Sequence, residues 1–390
     1  MPLTTHPRIS RRALLLASAA SFGCGRRKAP RLSGYCFVAN QGGRSVAVVS
    51  LERFRMLRQI PLDAAPAAVL AHPHRARVFV LAPENGTVYE IDGATYAVSR
   101  KARAGNQAVA MQLSPVGDAL WVLYRDPAAL VELPLDSFKP GRRIHLSGAP
   151  DAFDLVLHNR RQIPLAAVAS RQDRTIALAS LASAAIERTI SAGDEPSLVK
   201  FQWDGAQVIA GSWRGRSATI FQSSTGKTVV RLPLPLAPRH FCTSGDGGQI
   251  FITGDGMDAV VVLFPSETEI YQTILAGRAP GAMAVTAKDA KPSYLMVTNP
   301  LADGITVLDI DTYSLVAVVQ VGQGPCQILL TPDGQYALVL DEKSGDMAVV
   351  RMLALATTPN GDYRQFKPAP APIFTLIPVG ERPVSAALVE

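Results

Sequence analysis

The chain has 390 residues, a net charge of +7 and a sequence pI of about 9.3. Apolar residues make up 48% of it and charged residues only 18%, which excludes an intrinsically disordered chain. Residues 1–31 contain seven of the 39 basic residues and no acidic ones, so the remaining 32 Lys and Arg residues balance 32 Asp and Glu residues. Nucleic-acid binding needs clustered basic side chains on the folded part, so we expect no nucleic-acid partner.

The first element in chain order has the pattern of an export signal. Arg11 and Arg12 precede an apolar stretch that ends at Phe22. This stretch is too short to span a bilayer, which needs roughly 20 residues, and it is typical of a secretory leader. The paired arginines resemble a twin-arginine export signal, and an ordinary secretory signal is the alternative.

Cys24 follows the apolar stretch, directly after Ser21, Phe22 and Gly23. The arrangement resembles a bacterial lipobox, in which the cysteine is lipid-modified and becomes the new N-terminus. Cleavage at the small residues 17–19 is the alternative. We therefore predict that residues 1–31 are an export leader and linker. The mature protein is then periplasmic or a membrane-anchored lipoprotein of a bacterium, touching the membrane only through Cys24.

Residues 33–390 repeat one short unit. A Gly-containing turn, usually followed by a Pro and an apolar run, recurs at Pro66, Gln107, Pro150, Pro196, Pro238, Pro280, Pro325 and Pro383. The intervals between these marks are 41 to 46 residues, except for a last interval of 58. Each unit carries four apolar runs of strand length, which is typical of four-stranded β-propeller blades.

The two ends of the repeat region complement each other. Residues 35–40, 45–51 and 56–62 have the pattern of second, third and fourth strands, whereas 384–389 has that of a lone first strand. We predict that they form one composite blade that closes the ring and protects the strand edges. The predicted fold is all-β, a single β-propeller domain at 33–390 with eight four-stranded antiparallel blades. Seven blades is the alternative, should the unit at 150–194 be irregular.

The interval of 58 residues contains a polar, Pro-rich stretch at 354–373. This composition predicts a loop inserted between the third and fourth strands of the unit that starts at Pro325. That connection lies on the face opposite the one where propellers usually hold ligands. We interpret the insertion as neutral, and a docking loop is the alternative.

Several segments resemble the repeat of the YVTN-type β-propellers. The segments are YLMVTN (294–299), GITVLDIDTYSLVAVVQVGQGP (304–325) and LLTPDGQYALVL (329–340), with a looser copy at 35–40. The resemblance covers 33–390 and implies an exported bacterial propeller. It also implies relatives as different as lactonase-like enzymes, quinoproteins and the haem d-one domain of nitrite reductase. Fold similarity does not select among these activities.

Most catalytic signatures are absent from the sequence. It contains no G-x-S-x-G, no H-E-x-x-H and no EF-hand loop, and we predict no catalytic residue, no metal site and no cofactor. A lactonase-like hydrolase or a haem- or quinone-binding propeller enzyme is the alternative. It would need Glu195, Arg239, His240 and Asp255 to converge at the channel mouth. Trp213 is the tryptophan best placed near that mouth, but the sequence shows no partner for it.

Charged residues on the loops suggest a binding face. Basic side chains follow one another through consecutive units at the loops that join second to third strands and enter first strands: Arg125, Arg171, Arg174, Arg214, Arg216, Arg239 and His240. Acidic residues then take over: Asp255, Asp258, Asp303, Asp341, Glu342 and Asp346. We predict a binding or protein-interaction scaffold whose basic arc attracts an anionic small molecule or an acidic segment of a partner protein. We expect the propeller to be a monomer.

Overall fold

The structure is a computed structural model, and it describes residues 33–158, 162–355 and 371–389. These residues form 32 β-strands and one short 3-10 helix, Met352–Ala354. Runs of Val, Ile, Leu and Ala form strands because such side chains pack well on a pleated surface, and Gly- or Asp-containing turns end them. Within this part of the chain, no helix is long and apolar enough to cross a membrane.

The strands form eight four-stranded antiparallel sheets, the blades, which are numbered around the ring and run from an innermost strand to an outermost one. Blade 1 consists of β32 (Pro383–Val389), β1 (Tyr35–Asn40), β2 (Ser45–Ser50) and β3 (Arg55–Pro61). Blade 2 consists of β4 (Ala68–Ala71), β5 (Arg77–Ala82), β6 (Thr87–Asp92) and β7 (Ala97–Arg103). Blade 3 consists of β8 (Asn106–Leu113), β9 (Ala119–Asp126), β10 (Ala128–Pro134) and β11 (Arg143–His145). Blade 4 consists of β12 (Ala152–His158), β13 (Ile163–Ser170), β14 (Thr175–Ser180) and β15 (Ala185–Ser191).

The second half of the ring repeats this plan. Blade 5 consists of β16 (Leu198–Phe201), β17 (Gln207–Ser212), β18 (Ser217–Gln222) and β19 (Thr228–Pro233). Blade 6 consists of β20 (Ala237–Thr243), β21 (Ile250–Asp255), β22 (Ala259–Leu263) and β23 (Ile270–Leu275). Blade 7 consists of β24 (Met283–Val285), β25 (Tyr294–Asn299), β26 (Gly304–Asp309) and β27 (Leu315–Gln320). Blade 8 consists of β28 (Pro325–Leu330), β29 (Tyr336–Asp341), β30 (Asp346–Arg351) and β31 (Ile373–Pro378).

The ring is closed as predicted, by a blade made from both ends of the chain. β32 pairs antiparallel with β1, and its register places Val389 opposite Tyr35 and Leu388 opposite Cys36. The eight-bladed prediction is confirmed and the seven-bladed alternative is wrong, because the unit at 150–194 forms the complete blade 4. The leader at 1–31 and residues 356–370 of the insertion at 354–373 lie outside the described residues.

The core of the propeller lies between its blades. β2 is buried along its whole length, whereas β3 at the outer edge buries one residue of seven. Each apolar cluster joins two neighbouring blades, as where Val46 of blade 1 and Val80 of blade 2 belong to one cluster. A single blade therefore cannot bury its own faces, and stacking around the ring supplies the missing cover.

Candidate functional site

One end of the ring, which we call the top face, carries two kinds of loops. Entry loops lead from the outermost strand of one blade to the innermost strand of the next, and hairpins join the second and third strands of each blade. All seven predicted basic residues lie on or next to these loops. Arg171, Arg174, Arg214 and Arg216 are on hairpins, Arg125 is near the end of β9, and Arg239 and His240 are in the first half of β20. Their binding role stays a prediction.

A cleft of about 620 Å³ opens on the top face between blades 6 and 7. Its polar side chains are those of Arg239, His240, Asp255 and Asp258, and Gly and Pro residues form much of the remaining wall. Small residues and proline form most of this wall, and Met257 is the large apolar side chain along it among the described residues. Its chemistry therefore depends on these four groups.

A β-bulge positions Arg239 at this cleft. β20 pairs with β21 so that Pro238 faces Gly254 and His240 faces Thr253, which leaves Arg239 without a register partner. Bulges re-aim side chains and are frequent next to functional sites. The inner strands of blades 1, 3 and 8 bulge at the corresponding place, and the residues skipped there are Val384, Val109 and Cys326. Blade 6 is the one of these four in which the bulged residue carries a charge.

Arg239 belongs to a three-residue network with Trp213 and Asp255. Arg239 Nε and Trp213 Nε1 both donate to Asp255 Oδ2, at 2.9 and 2.7 Å, and the guanidinium lies 5.0 Å from the Trp213 ring centroid. Desolvation acts to raise the pKa of Asp255, but the hydrogen bonds from Trp213 and Arg239 outweigh it and lower that pKa. Asp255 is therefore anionic at neutral pH, with both donors held on one oxygen.

His240 lies beside this network on the inner strand β20, directly after the bulge. Its side chain reaches solvent, yet it lies in a concave mouth where protein atoms replace much of its hydration. Desolvation lowers the pKa of His240 below its usual value, the charge of Arg239 lowers it further, and Asp255 partly offsets both. The imidazole is therefore neutral at pH 7, and a ring nitrogen can accept a hydrogen bond.

Four of the other five predicted arginines gather in two clusters, each around one carboxylate. Asp151 lies 3.0 Å from the guanidinium of Arg125 and 3.7 Å from that of Arg171. Glu195 lies 3.5 Å from Arg214 and 4.0 Å from Arg174. Both carboxylates come from entry loops.

Each cluster carries one net positive charge, because two guanidinium groups share one carboxylate. Exposed ion pairs of this kind contribute little to stability, about 0–1 kcal/mol. They contribute little to the stability of the fold, and their effect is to gather two guanidinium groups beside one carboxylate. Arg216 is fixed differently, by donating to the carbonyl oxygen of Pro235.

The acidic residues of the remaining hairpins mostly bind backbone or basic partners. Asp258 accepts from the amide of Ala279 and Asp303 from that of Gly324, while Glu342 pairs with Arg382. The pairing of Glu342 with Arg382, and the entry-loop carboxylates Asp151 and Glu195 among the arginines, reduce the separation of charge expected from the hairpin sequences alone. The positive arc persists as two clusters rather than as a continuous surface.

Three of the four residues considered for an enzyme come together. Arg239, His240 and Asp255 line one cleft, whereas Glu195 contacts Arg174 and Arg214. No group of three or more His, Cys, Asp or Glu residues within the described part of the chain could hold a metal ion.

Sequence reasoning missed the partners of Trp213 and the role of Asp151. Trp213 and Asp255 are 42 residues apart, which is one repeat, so they occupy neighbouring blades at the same height. That spacing is the signal that could have found the contact. Asp151 could have been found as the acidic residue that directly follows the turn at Pro150.

The geometry defines a β-propeller with a polar cleft and two arginine clusters on its top face. No protein-family model matches the chain. It is 26% identical to the seven-bladed beta-propeller protein Rv1057 of Mycobacterium tuberculosis over 140 residues, which are 35% of this chain and 36% of that protein. The chain thus aligns with little more than a third of that relative, whose name gives seven blades where this chain forms eight.

Solved structures extend the likeness over most of the chain. Dihydro-heme d1 dehydrogenase NirN, in complex with DHE, has a TM-score of 0.72 at 17% identity, over 93% of this chain and 76% of NirN. A functionally unknown protein from Desulfotomaculum acetoxidans has a TM-score of 0.60 at 12% identity, covering 92% of this chain and 99% of its own. Kuenenia stuttgartiensis hydrazine synthase has 0.53 at 18% identity, covering 81% and 91%. At these identities the likenesses show the propeller fold alone.

Proposed function

We propose that this protein is an exported binding scaffold whose top face captures an anionic ligand or an acidic segment of a partner protein. The observation that carries the proposal is the sharing of one carboxylate by two arginines, at Asp151 and again at Glu195. Each cluster keeps an excess positive charge and unused N–H donors on two neighbouring guanidinium groups. Guanidinium groups bind carboxylate and phosphate oxygens with two parallel hydrogen bonds.

A fluorescent oligoglutamate peptide at low ionic strength tests the binding face. The variant R171Q/R174Q/R214Q/R216Q removes the positive charge of these four residues and should weaken peptide binding at least tenfold. The matched control R53Q/R55Q/R58Q/R188Q removes the same charge from exposed arginines away from this face and should leave the affinity within about twofold. Equal losses in both variants would mean non-specific attraction to net charge, and no loss in the first would remove the proposal.

Export belongs to the same proposal and is supported by the pattern of residues 1–31. Replacing Arg11 and Arg12 by Lys should block export if the twin-arginine route is used. Replacing Cys24 by Ser should release the protein from the membrane fraction if that cysteine carries the lipid. Cell fractionation of the full-length chain distinguishes these outcomes from an ordinary secretory signal, which tolerates both changes.

A second candidate is a hydrolytic or cofactor-binding propeller, favoured by the neutral His240 beside Arg239 and Asp255. His240 offers a nitrogen ligand for a haem iron, but no Phe, Tyr or Trp side chain is among the described residues that line the cleft, where it could stack on a macrocycle or a quinone. The cleft therefore fits such a group poorly, and we assign it no step. Absorbance and metal analysis of protein purified from its native membrane test this candidate. A bound chromophore or a stoichiometric metal would replace the scaffold proposal.

A further inference from the structure

Two carboxyl groups meet at the top face of blade 8, next to blade 1, which closes the ring. Asp341 ends β29, Asp346 begins β30, and the two residues are register partners across the hairpin 342–345. Asp341 is fully buried. An alanine at Gly322 would place its Cβ 2.7 Å from Asp341 Oδ2 and 2.5 Å from Asp346 Oδ1, so the entry loop 321–324 packs directly on the pair.

The pair has no basic partner among the described residues. Asp341 Oδ2 accepts from the amide of Gly322, at 3.1 Å, but Oδ1 of Asp341 and Oδ1 of Asp346 are buried without a donor. The two nearby basic groups have other contacts, since Arg382 pairs with Glu342 and Lys343 packs over Gly324. The other titratable groups on the neighbouring elements supply no positive charge. They are Asp303, which accepts from the Gly324 amide, Glu381 and Cys326. A fully buried carboxylate beside a half-buried one carries a large cost without a counter-charge, and a single proton between them removes most of that cost.

Other blades show what this position normally does. Asn40 in blade 1 and Asn299 in blade 7 end the equivalent strands, and their amide groups donate to the carbonyl oxygens of Val379 and Ala276 in the entry loops. An ionised aspartate has no proton to donate. Asp341 therefore reproduces a donor at this place only when the pair is protonated.

We propose that Asp341 and Asp346 share one proton in the folded protein and that its loss loosens the hairpin 342–345 from the entry loops 321–324 and 379–382. The hairpin touches both loops, since Lys343 N donates to Gln323 O at 3.0 Å and Val379 N donates to Gly345 O at 3.0 Å. The loop 379–382 leads into β32, the closing strand. The pair is thus a pH-sensitive latch beside the ring closure.

The sign of the pH response follows from the protonation of the closed and open hairpin. Burial, a hydrogen bond with Asp346 and the charge of Asp346 raise the pKa of Asp341 to about 8 in the closed hairpin. In the open hairpin the carboxyl regains its ordinary pKa, near 4. The closed form binds the extra proton. The stabilisation of the closed hairpin by this proton is therefore complete below about pH 4 and is lost as the pH rises to about 8. Over this range the equilibrium constant for opening increases about tenfold per pH unit.

Hydrogen exchange measured by mass spectrometry on the intact protein tests the latch. After correction for intrinsic exchange rates, opening of the segment 341–346 should increase about a hundredfold from pH 5 to pH 7. The hairpin 299–304 of blade 7 serves as the internal control and should change little. In Asp341→Asn, whose amide can donate as Asn299 does, the pH response should disappear. Asp346→Ser, which copies Ser45 of blade 1, should weaken the response without abolishing it, because burial of Asp341 still favours its protonated form, and this variant serves if the first one folds poorly.

Infrared difference spectra between pH 5 and pH 9 detect the protonated carboxyl itself, so they would not change if the pair had only a structural role. The wild-type protein should lose the carbonyl stretch of a buried protonated carboxyl, and this band should be missing in Asp341→Asn. The proposal is overturned if the wild type responds no more than the control hairpin, or if Asp341→Asn keeps the full response. It is equally overturned if added Ca²⁺ alone abolishes the wild-type response, since the pair would then be a cation site.

Discussion

Gly254 links the packing of two strands in blade 6 to the position of Arg239 in the cleft. It lies on β21 opposite Pro238, just before the bulge that presents Arg239. A Cβ added at this position would lie 1.9 Å from the carbonyl oxygen of Ala237 and 2.9 Å from the Cα of Pro238. Both obstacles are backbone atoms, so no side-chain rotation can relieve the clash.

The cost of Gly254→Ala follows from that distance. Carbon–oxygen contacts need somewhat more than 3 Å, so β20 must move by about 1 Å or more relative to β21. Overpacking of this kind costs typically 1–3 kcal/mol, and the rigid obstacle places this variant near about 3 kcal/mol. The shift also separates Arg239 from Asp255, whose contact is 2.9 Å in the native protein.

Urea unfolding and tryptophan fluorescence measure the two effects. We expect the free energy of unfolding of Gly254→Ala to fall by about 3 kcal/mol, and the emission of Trp213 to change because its contacts with Arg239 and Asp255 are disturbed. Gly248→Ala is the control, because its added Cβ would meet nothing closer than 3.4 Å. If Gly254→Ala is as stable as this control and its emission is that of the wild type, the bulge does not depend on close approach of the two strands.

Three further predictions concern the packing between blades and the cleft. Arg100→Met should lower the free energy of unfolding by about 3 kcal/mol in urea titrations, because it leaves the buried carboxylate of Glu90 without its cation. Tyr124→Phe should lower the free energy of unfolding by about 1 kcal/mol, because it removes a buried hydrogen bond to the carbonyl oxygen of Gly86. In the wild type, burial raises the pKa of Tyr124 to about 12, so tyrosinate absorbance should show this ring ionising only near that pH. The imidazole of His240, followed by NMR and assigned with His240→Asn, should titrate below the usual histidine range, and stability should fall as the pH drops below that range because the unfolded chain binds the proton more readily.

The sequence predicts the fold well because each blade repeats the same local instructions. Turns at Pro280 and Pro325 begin strands that recur at a fixed interval, and an unpaired strand pattern at each end predicts the composite blade that β32 and β1 form. These signals are local or periodic, so they can be read without knowledge of contacts. The bulge at Arg239 is different, because it depends on how close two backbones approach at Gly254.

The candidate site could be predicted only in part, because its charges are set by contacts between loops. The hairpin sequences show Arg171 and Arg214, but not that Asp151 and Glu195 reach them from the entry loops. Inspection of the hairpins alone therefore overstates the charge of that arc. Contacts between blades fall near one repeat in sequence separation, as for Trp213 and Asp255, so a search at that spacing would find more of them.

The pairing of residue 35 with residue 389 sets the order in which the ribosome can complete this molecule. The strands of blades 2 to 8 can pair and stack as successive segments are made, but the inner edge of β1 must wait for β32, the last seven residues of the described chain. At a synthesis rate of about 5–20 residues per second, the wait is roughly 15–70 s. During that time the inner edge of β1 is free to pair with a wrong strand. A chaperone that shields the nascent chain is therefore needed most at the N-terminal blade. A chain that lacks β32 cannot complete blade 1 and leaves the ring open.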